Sequence, residues 1–292
     1  MMTNELKQQI LVALKKSRSN FHGSDAKFAV SLGISGAQYS RIHRGDTDQV
    51  LSDANWISLA RKLDVSLNNE KQWKTANTPV FQFVTAQLEI CQNNGTSSML
   101  CDLSDIGKTY AAKHYAANHK NAIYVDCSQV KTKHRLVRKI AKEFGVGSNG
   151  RYADVYEDLV FYLKTLPNPL IIWDEYADLN YDAVMESKAL WNAVERNCAF
   201  YMIGADGLHE KMRRNIERKK VGYTELFSRF GKKYGKVIPA GSEEANKVLI
   251  ATASMIIKAN SNANTNMILK GTMGDDNKPS LRRIYNELAK VH

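Results

Sequence analysis

The chain has 292 residues, of which 43% are hydrophobic and 24% charged, proportions typical of a soluble globular protein with room for two or three domains. No apolar run approaches the length of a membrane span, and the N-terminal sequence lacks a signal-peptide core. We therefore expect a cytoplasmic protein with no membrane partner. Lys and Arg outnumber Asp and Glu by 41 to 30, and the net charge of +11 favours a polyanionic partner such as nucleic acid.

Residues 1–67 have the pattern of a small all-helical domain. Apolar residues recur at helical spacing between residues 5 and 18, and further helices are predicted from Asp25, over 36–44 and over about 53–63. Gly33-Ile34-Ser35 forms a tight turn, and Ser35 can cap the helix that follows. Two short helices joined by a glycine-bearing turn predict a helix-turn-helix.

This segment resembles the lambda-repressor-like helix-turn-helix family. The matching residues are Ala29, Leu32-Gly33-Ile34-Ser35, Ser40-Arg41-Ile42 and Gly45. The resemblance implies that Ile34 and Ile42 hold the helix pair together and that an exposed face contacts DNA. The residues implied on that face are Gln38, Tyr39, Arg41 and Arg44. A helical bundle that uses the same packing for protein contacts is the alternative, but two cationic residues favour phosphate contacts.

A polar segment without periodicity, residues 68–78, is predicted to be a linker, and a helix is predicted over 79–92. The apolar run Met99-Leu100-Cys101 then breaks into a polar loop, after which Gly107-Lys108-Thr109 opens a helical segment. This is the layout of a phosphate-binding P-loop, in which backbone N–H groups and a helix N-terminus face an anion.

The P-loop pattern predicts ATP and Mg²⁺ as cofactors, with Lys108 reaching the β- and γ-phosphates and the Thr109 hydroxyl ligating the metal. The predicted ATP-binding residues in this segment are Asp105, Ile106, Gly107, Lys108, Thr109 and Tyr110. Asp102 takes the place of the first glycine, so that Asp102 and Asp105 are expected where a polyphosphate would lie. An ordinary helix start is therefore the alternative.

A second motif follows the apolar run 170–173, which is typical of a parallel strand covered on both faces. The run ends in Asp174-Glu175, and the carboxyl ends of such strands form the edge where α/β proteins bind ligands. Asp174 would hold Mg²⁺ through water, and Glu175 would polarise the attacking water. A strand followed by a solvated acidic turn is the alternative. The two motifs occur together, which favours the nucleotide site.

Buried strands are also predicted over 122–127 and 199–204, with helices over 131–144, 154–166 and 183–196 between the strands. Alternation of this kind predicts an α/β fold with a doubly wound parallel sheet. Asp206 follows the last of these strands, and we predict that it senses the γ-phosphate.

The most basic stretch, 207–236, contains ten Lys or Arg residues. A solvated helix face is one interpretation, and a lining for DNA is the other. The candidate DNA contacts are Lys211, Arg213, Arg214, Lys219, Lys220, Lys232 and Lys233. The remainder is predicted to be helical over 242–258 and about 281–288, with a polar loop between.

Residues from about 79 to 292 resemble the AAA+ ATPases. The matching features are the P-loop, the strand ending in Asp174-Glu175, the LFSRF sequence at 226–230 and the SLRR sequence at 280–283. The resemblance implies an α/β core at 79–240 and a small helical lid at 241–292. It also implies that Arg229 completes the site of a neighbouring subunit, while Arg282, or failing it Arg283, contacts the γ-phosphate. Surface ion pairs are the alternative for these arginines.

Within that family, the chain resembles the target-capture ATPases of transposing phages, the phage Mu B type. This resemblance implies a homo-oligomer that assembles with ATP as helical filaments on double-stranded DNA, with little sequence preference, and recruits or activates a DDE transposase. It implies slow, DNA-stimulated hydrolysis on the bacterial nucleoid. Two alternatives stay open: another AAA+ DNA machine, such as a helicase loader or initiator, and a DNA-binding regulator whose P-loop does not hydrolyse ATP.

Overall fold

A computed structural model describes residues 3–65 and 73–290. The predicted linker, 68–78, therefore lies partly outside the described residues, as do the last residues of the predicted N-terminal domain and of the predicted lid. No helix within the described ranges is long and apolar enough to cross a bilayer.

Four helices form the N-terminal part: α1 (Asn4–Asn20), α2 (Asp25–Leu32), α3 (Gly36–His43) and α4 (Asp53–Lys62). Each begins after a Thr or Ser whose side-chain oxygen accepts a backbone N–H from the first turn, and such caps stabilise the start of a helix. Trp56 and Phe28 lie in the core that the four helices share. The helices and the tight turn lie where the sequence predicts them, while the helix-turn-helix assignment stays a prediction.

The central sheet has four parallel strands, β1 (Ser97–Cys101), β2 (Ala122–Asp126), β3 (Leu170–Asp174) and β4 (Ala199–Gly204), in the order β1-β4-β3-β2. The segment around Gly235 continues the sheet beyond β1, because the Gly235 N–H donates to Met99 O and its carbonyl accepts from the Cys101 N–H. The predicted α/β class with a parallel sheet is confirmed.

Helices cover both faces of the sheet. On one face lie α5 (Pro79–Asn94) and α6 (Lys108–Asn118), and on the other lie α7 (Lys133–Glu143), α8 (Tyr152–Thr165), α9 (Tyr181–Ala193), α10 (Asp206–Glu217) and α11 (Tyr223–Arg229). Side chains alternate between the faces along each strand, so that Ile172 packs with α5 and α6 while Trp173 packs with the larger group. Each face of the sheet therefore has its own apolar core.

The C-terminal part consists of α12 (Ser242–Asn260), α13 (Thr265–Thr272) and α14 (Leu281–Lys290). Helix α13 is absent from the sequence prediction, which placed a polar loop over 260–266 and its next helix at about 281. Its first turn is polar and capped by Asn264, and Ile268 is its main apolar contribution to the core, so the helical period is too short to recognise. Leu249 of α12 packs on the sheet core beside α5.

The N-terminal helices dock on the α/β core. Helix α1 packs against α6, and α2 packs against α7. The Asn20 side chain donates to Ala117 O at 2.9 Å, Tyr162 Oη donates to His22 O at 2.9 Å, and Lys27 Nζ lies 3.6 Å from the Tyr162 ring centroid. Helix α3 takes no part in these contacts, and its outer face stays accessible.

Candidate active site

The loop between β1 and α6 has the backbone of an anion-binding site. Gly107 precedes α6 with a φ of 97°, and no side chain caps the helix. The first N–H groups of α6 therefore remain available to a ligand, and the helix dipole favours an anion there.

Lys108 lies inside this loop, with 8% of its surface exposed. Its ammonium group donates to Asp102 O at 2.8 Å and also to Leu103 O. Burial lowers the pKa of Lys108, and the nearby carboxylates, Asp102 and Asp174 foremost, oppose that shift. Since a buried cation is stabilised by any anion brought next to it, this geometry suits a phosphate ligand.

The carboxylate of Asp102, which the sequence placed where a polyphosphate would lie, is occupied by backbone N–H groups. It is 4% exposed and accepts from the Val237 and Ile238 N–H groups at 2.5 and 2.9 Å, and from the Leu103 N–H at 2.7 Å. Asp102 therefore fastens the P-loop to the segment that follows Gly235. The hydrogen bonds of this carboxylate are therefore structural.

Asp105 connects the loop to α14. Its carboxylate accepts from Ser280 Oγ at 2.7 Å and from the Arg282 N–H at 3.2 Å, and Arg282 Nε lies 3.8 Å away. Asp105 thus supplies the cap for the start of α14. The Arg282 side chain is 87% exposed, whereas Arg283 donates to Met273 O and is directed toward the rest of the lid.

The other residues predicted to bind ATP contribute in different ways. Ile106 is buried in the core between the sheet and α6, so only its backbone is available to a ligand. Tyr110 is exposed, and its hydroxyl lies 2.6 Å from Thr75 Oγ1. The structure thus brings this ring to the segment just before α5.

The predicted metal pair is brought together at the carboxyl edge of the sheet. Thr109 Oγ1 donates to Asp174 Oδ2 at 2.6 Å, and Asp174 is 1% exposed. A hydroxyl and a carboxylate are hard oxygen ligands of the kind that Mg²⁺ prefers when it also binds phosphates. The residues present therefore fit a magnesium nucleotide, with Lys108 and the α6 N-terminus for the phosphates and Thr109 with Asp174 for the metal.

Two features of this edge escaped the sequence prediction. Tyr124 on β2 donates its hydroxyl to Asp174 Oδ2 at 2.8 Å. The available signal was a tyrosine in a buried strand, because a buried hydroxyl requires a partner. Glu175 has a φ of 50°, a left-handed conformation that is costly for a residue with a side chain and is often found at functional sites.

Glu175 lies directly beside Asp174 and donates its N–H to Asp174 Oδ1 at 3.0 Å. Partial desolvation raises the pKa of Glu175, and the negative charges of Asp174 and Asp178 raise it further. A carboxylate with a raised pKa is a better proton acceptor, which is the property that a general base needs.

Asp206 and Arg229 occupy opposite ends of the sheet. Asp206 opens α10 directly after β4, at the same edge as Asp174, and is exposed. Arg229 donates from Nε to Asn192 Oδ1 at 2.7 Å and lies 5.2 Å from the Trp191 ring centroid. Since Trp191 donates to Ser97 Oγ at the amino end of β1, Arg229 lies away from the P-loop of its own chain.

The predicted DNA-contact face of α3 needs one correction. Tyr39 is 1% exposed and packs edge-on against Phe28, because it lies on the same inner face of the helix as Ile42. Gln38 accepts the Ser35 N–H in a capping box. Arg41 and Arg44 are exposed, with Arg41 also paired to Asp46 at 2.8 Å.

The basic stretch also divides into two groups. Lys211 is half-buried and donates to Ala177 O and Leu179 O at 2.7 and 2.6 Å, so its ammonium group already has partners within the chain, and its contact with DNA stays a prediction. Arg213 is paired with both Glu210 and Glu217, which balance its charge. The other five candidate DNA contacts are exposed: Arg214, Lys219, Lys220, Lys232 and Lys233.

Residues 92–212 match a family model described as an AAA domain, while a search of curated proteins finds no significant match. The matched segment runs from the end of α5 into α10 and includes the P-loop, the Thr109–Asp174 pair and Glu175. The family match agrees with the parallel sheet and with the loop geometry. Residues 92–212 are therefore similar to the AAA domains of P-loop ATPases.

Proposed function

We propose that this chain is an ATP-dependent DNA-binding protein of DNA transposition, which assembles as filaments on target DNA and recruits or activates a transposase. The observation that carries the ATP-dependent part is the Thr109–Asp174 pair beside the buried Lys108 and the uncapped start of α6. The DNA part is supported by the net charge of +11 and by the exposed lysines and arginines of residues 214–233.

In ATP hydrolysis, the chain's own groups have separate tasks. Lys108 and the first N–H groups of α6 bind and orient the phosphates. Glu175 orients the attacking water and takes up its proton, for which its raised pKa is suitable. Magnesium, held by Thr109 and Asp174, supplies charge neutralisation of the phosphates when it is bound.

Assembly is the second part of the proposal. Arg229 lies at the opposite end of the sheet from Lys108, and its guanidinium is oriented by Asn192 and Trp191. An arginine in this place is suited to the site of an adjacent subunit rather than to its own. Contact from a neighbour with the γ-phosphate would make assembly depend on ATP, because binding that occurs only in the assembled state stabilises that state.

We expect such a filament to form on duplex DNA. Each subunit offers a few phosphate contacts from the exposed basic residues, and contacts repeated along a filament add through multivalency. The N-terminal helices offer Arg41 and Arg44 on the accessible face of α3. These side chains would contact phosphates, so little sequence preference is expected.

We infer a transposase partner from the combination of an N-terminal helical domain, a single ATPase domain and a small lid. The non-hydrolysing regulator stays an alternative, based on Asp102 in place of the first P-loop glycine, although the Asp102 carboxylate is bonded to the Val237 and Ile238 N–H groups. Hydrolysis measured with and without DNA separates it from the proposed function.

Electron microscopy of the full chain with duplex DNA tests this proposal. We expect regular filaments with ATP and short or absent filaments with ADP. A transposase encoded by the same mobile genetic element should be retained on the ATP filaments. Equal coating of DNA with ATP, with ADP and without nucleotide would contradict the ATP-dependent assembly. Arg229→Ala serves as a variant that should bind ATP as a monomer but fail to form filaments.

A further inference from the structure

Tyr124 reaches the metal-binding edge of the sheet from the neighbouring strand. In the parallel register of β2 and β3, Tyr124 pairs with Ile172, and Asp174 is two residues further along β3. Residues two apart on a strand share a face, so Tyr124 and Asp174 lie on the side of the sheet that α6 covers. The Tyr124 hydroxyl donates to Asp174 Oδ2 at 2.8 Å.

Both oxygens of Asp174 are engaged. Oδ1 accepts the Glu175 N–H at 3.0 Å, while Oδ2 accepts from Thr109 Oγ1 at 2.6 Å and from Tyr124 at 2.8 Å. Of the two side-chain donors, Thr109 is itself a candidate metal ligand, whereas Tyr124 is not. Tyr124 therefore holds the carboxylate without being required to contact the metal.

The Tyr124 ring packs on the face of the sheet that α6 covers. It packs at the border of the apolar core formed with α5 and α6. Lys113, one helical turn after Thr109, places its Nζ 5.4 Å from the ring centroid. The packing against the core and the Lys113 contact limit the positions of the ring, so its hydroxyl can orient the carboxylate that it contacts.

We propose that Tyr124 is a positioning residue that orients the Asp174 carboxylate for the divalent cation. This inference rests on the proposed function, since it requires that the site bind a metal nucleotide. A residue that orients a ligating carboxylate is commonly worth about 10- to 100-fold in metal affinity. Lys108 and the start of α6 bind the phosphates without contacting Tyr124. Loss of the Tyr124 hydroxyl should therefore lower the affinity for the metal but not the affinity for nucleotide in the absence of metal.

The test compares Tyr124→Phe with Tyr115→Phe. Tyr115 is on α6, faces the same core, and donates to Gln92 Oε1 at 2.7 Å, so its variant also removes one buried hydroxyl and its hydrogen bond. Mn²⁺ affinity of the full chain, saturated with a non-hydrolysable ATP analogue, is measured by electron paramagnetic resonance. Affinity for the same analogue in EDTA is measured by calorimetry.

For Tyr124→Phe, we expect about tenfold weaker Mn²⁺ binding and unchanged metal-free analogue affinity. For Tyr115→Phe, we expect wild-type values of both. Wild-type Mn²⁺ affinity in Tyr124→Phe, or an equal loss in both variants, would overturn the role of Tyr124 while leaving the nucleotide site intact. Absence of analogue and metal binding by the wild-type chain would overturn the proposed function and this inference together.

Discussion

At the scale of single residues, the site depends on buried charges that have specific partners. Lys108 donates to carbonyl groups of its own loop, and Asp102 accepts three backbone N–H groups. Both are held in place before any ligand arrives. Preorganisation of this kind lowers the free-energy cost of ordering side chains when phosphates bind.

Glu175→Gln should bind ATP but hydrolyse it about 10² to 10⁴ times more slowly, because the amide cannot accept the proton of the attacking water. In the wild-type chain, activity requires the carboxylate form. The raised pKa therefore predicts that the rate falls, as pH decreases, at a higher pH than for a glutamate with an ordinary pKa. Steady-state hydrolysis and its pH profile measure both effects, and a glutamine variant with wild-type turnover would exclude Glu175 as the base.

The P-loop lysine and the metal pair were predictable at this scale because they follow short apolar runs at the ends of strands. The role of Tyr124 was not predictable, because it depends on the register between β2 and β3, which the sequence alone does not specify. The resemblance to helix-turn-helix proteins placed Tyr39 on the DNA face, whereas Tyr39 is buried with Ile42. An eight-residue helix such as α3 gives too few periods to correct that placement from the sequence alone.

At the scale of elements, the contact between the P-loop and α14 is the least expected feature. Asp105 belongs to the loop, yet it caps the C-terminal helix α14, which begins 176 positions later, at Leu281. Position along the chain gives no sign of this contact. It ties the start of the lid helix to the loop that would receive the phosphates.

Asp105→Ala should loosen the first turn of α14, at a cost of about 1 kcal/mol for the lost cap. Amide hydrogen exchange in the protein without nucleotide should therefore become faster at residues 282–285, while exchange in α6 stays unchanged. Asp275→Asn removes another acid of the lid, one that is exposed, and should leave exchange in α14 at the wild-type rate. Unchanged exchange in Asp105→Ala would show that the cap contributes little.

At the scale of the whole molecule, the N-terminal helices are docked on the α/β core by α1 and α2. Gly145 lies at this interface with a φ of 69°, and a Cβ on it would meet Lys27 O at 2.3 Å. A side chain at this position must separate the two parts, because the opposing atom belongs to the backbone.

Gly145→Ala should release the N-terminal helices from the core. Gly150→Ala is the matched control, because Gly150 also has a positive φ, 99°, but a Cβ there meets nothing within 4 Å. Both variants carry a left-handed backbone cost of about 1 kcal/mol. Small-angle scattering should report a larger radius of gyration for Gly145→Ala alone, and equal radii for the two variants would contradict the docking.

DNA affinity belongs to the same scale, since it sums charges over a surface. Reversal of two exposed charges, Lys219→Glu with Lys232→Glu, should weaken duplex binding and reduce the slope of log affinity against log salt by about two or more. Arg151→Glu with Lys164→Glu makes an equal charge change, immediately before α8 and in its last turn, away from that stretch in the sequence. An equal loss of DNA affinity in both double variants would show that the effect comes from net charge. Wild-type DNA affinity in Lys219→Glu with Lys232→Glu would show that residues 214–233 do not contact DNA.

The central claim is that Lys108 and the Thr109–Asp174 pair serve one magnesium-bound triphosphate. Isothermal titration of the purified chain with ATP, with Mg²⁺ and with EDTA, measures this directly. We predict saturable binding that Mg²⁺ strengthens in the wild-type chain and that Lys108→Ala abolishes. Absence of binding by the wild-type chain, or equal binding by Lys108→Ala, would contradict the account.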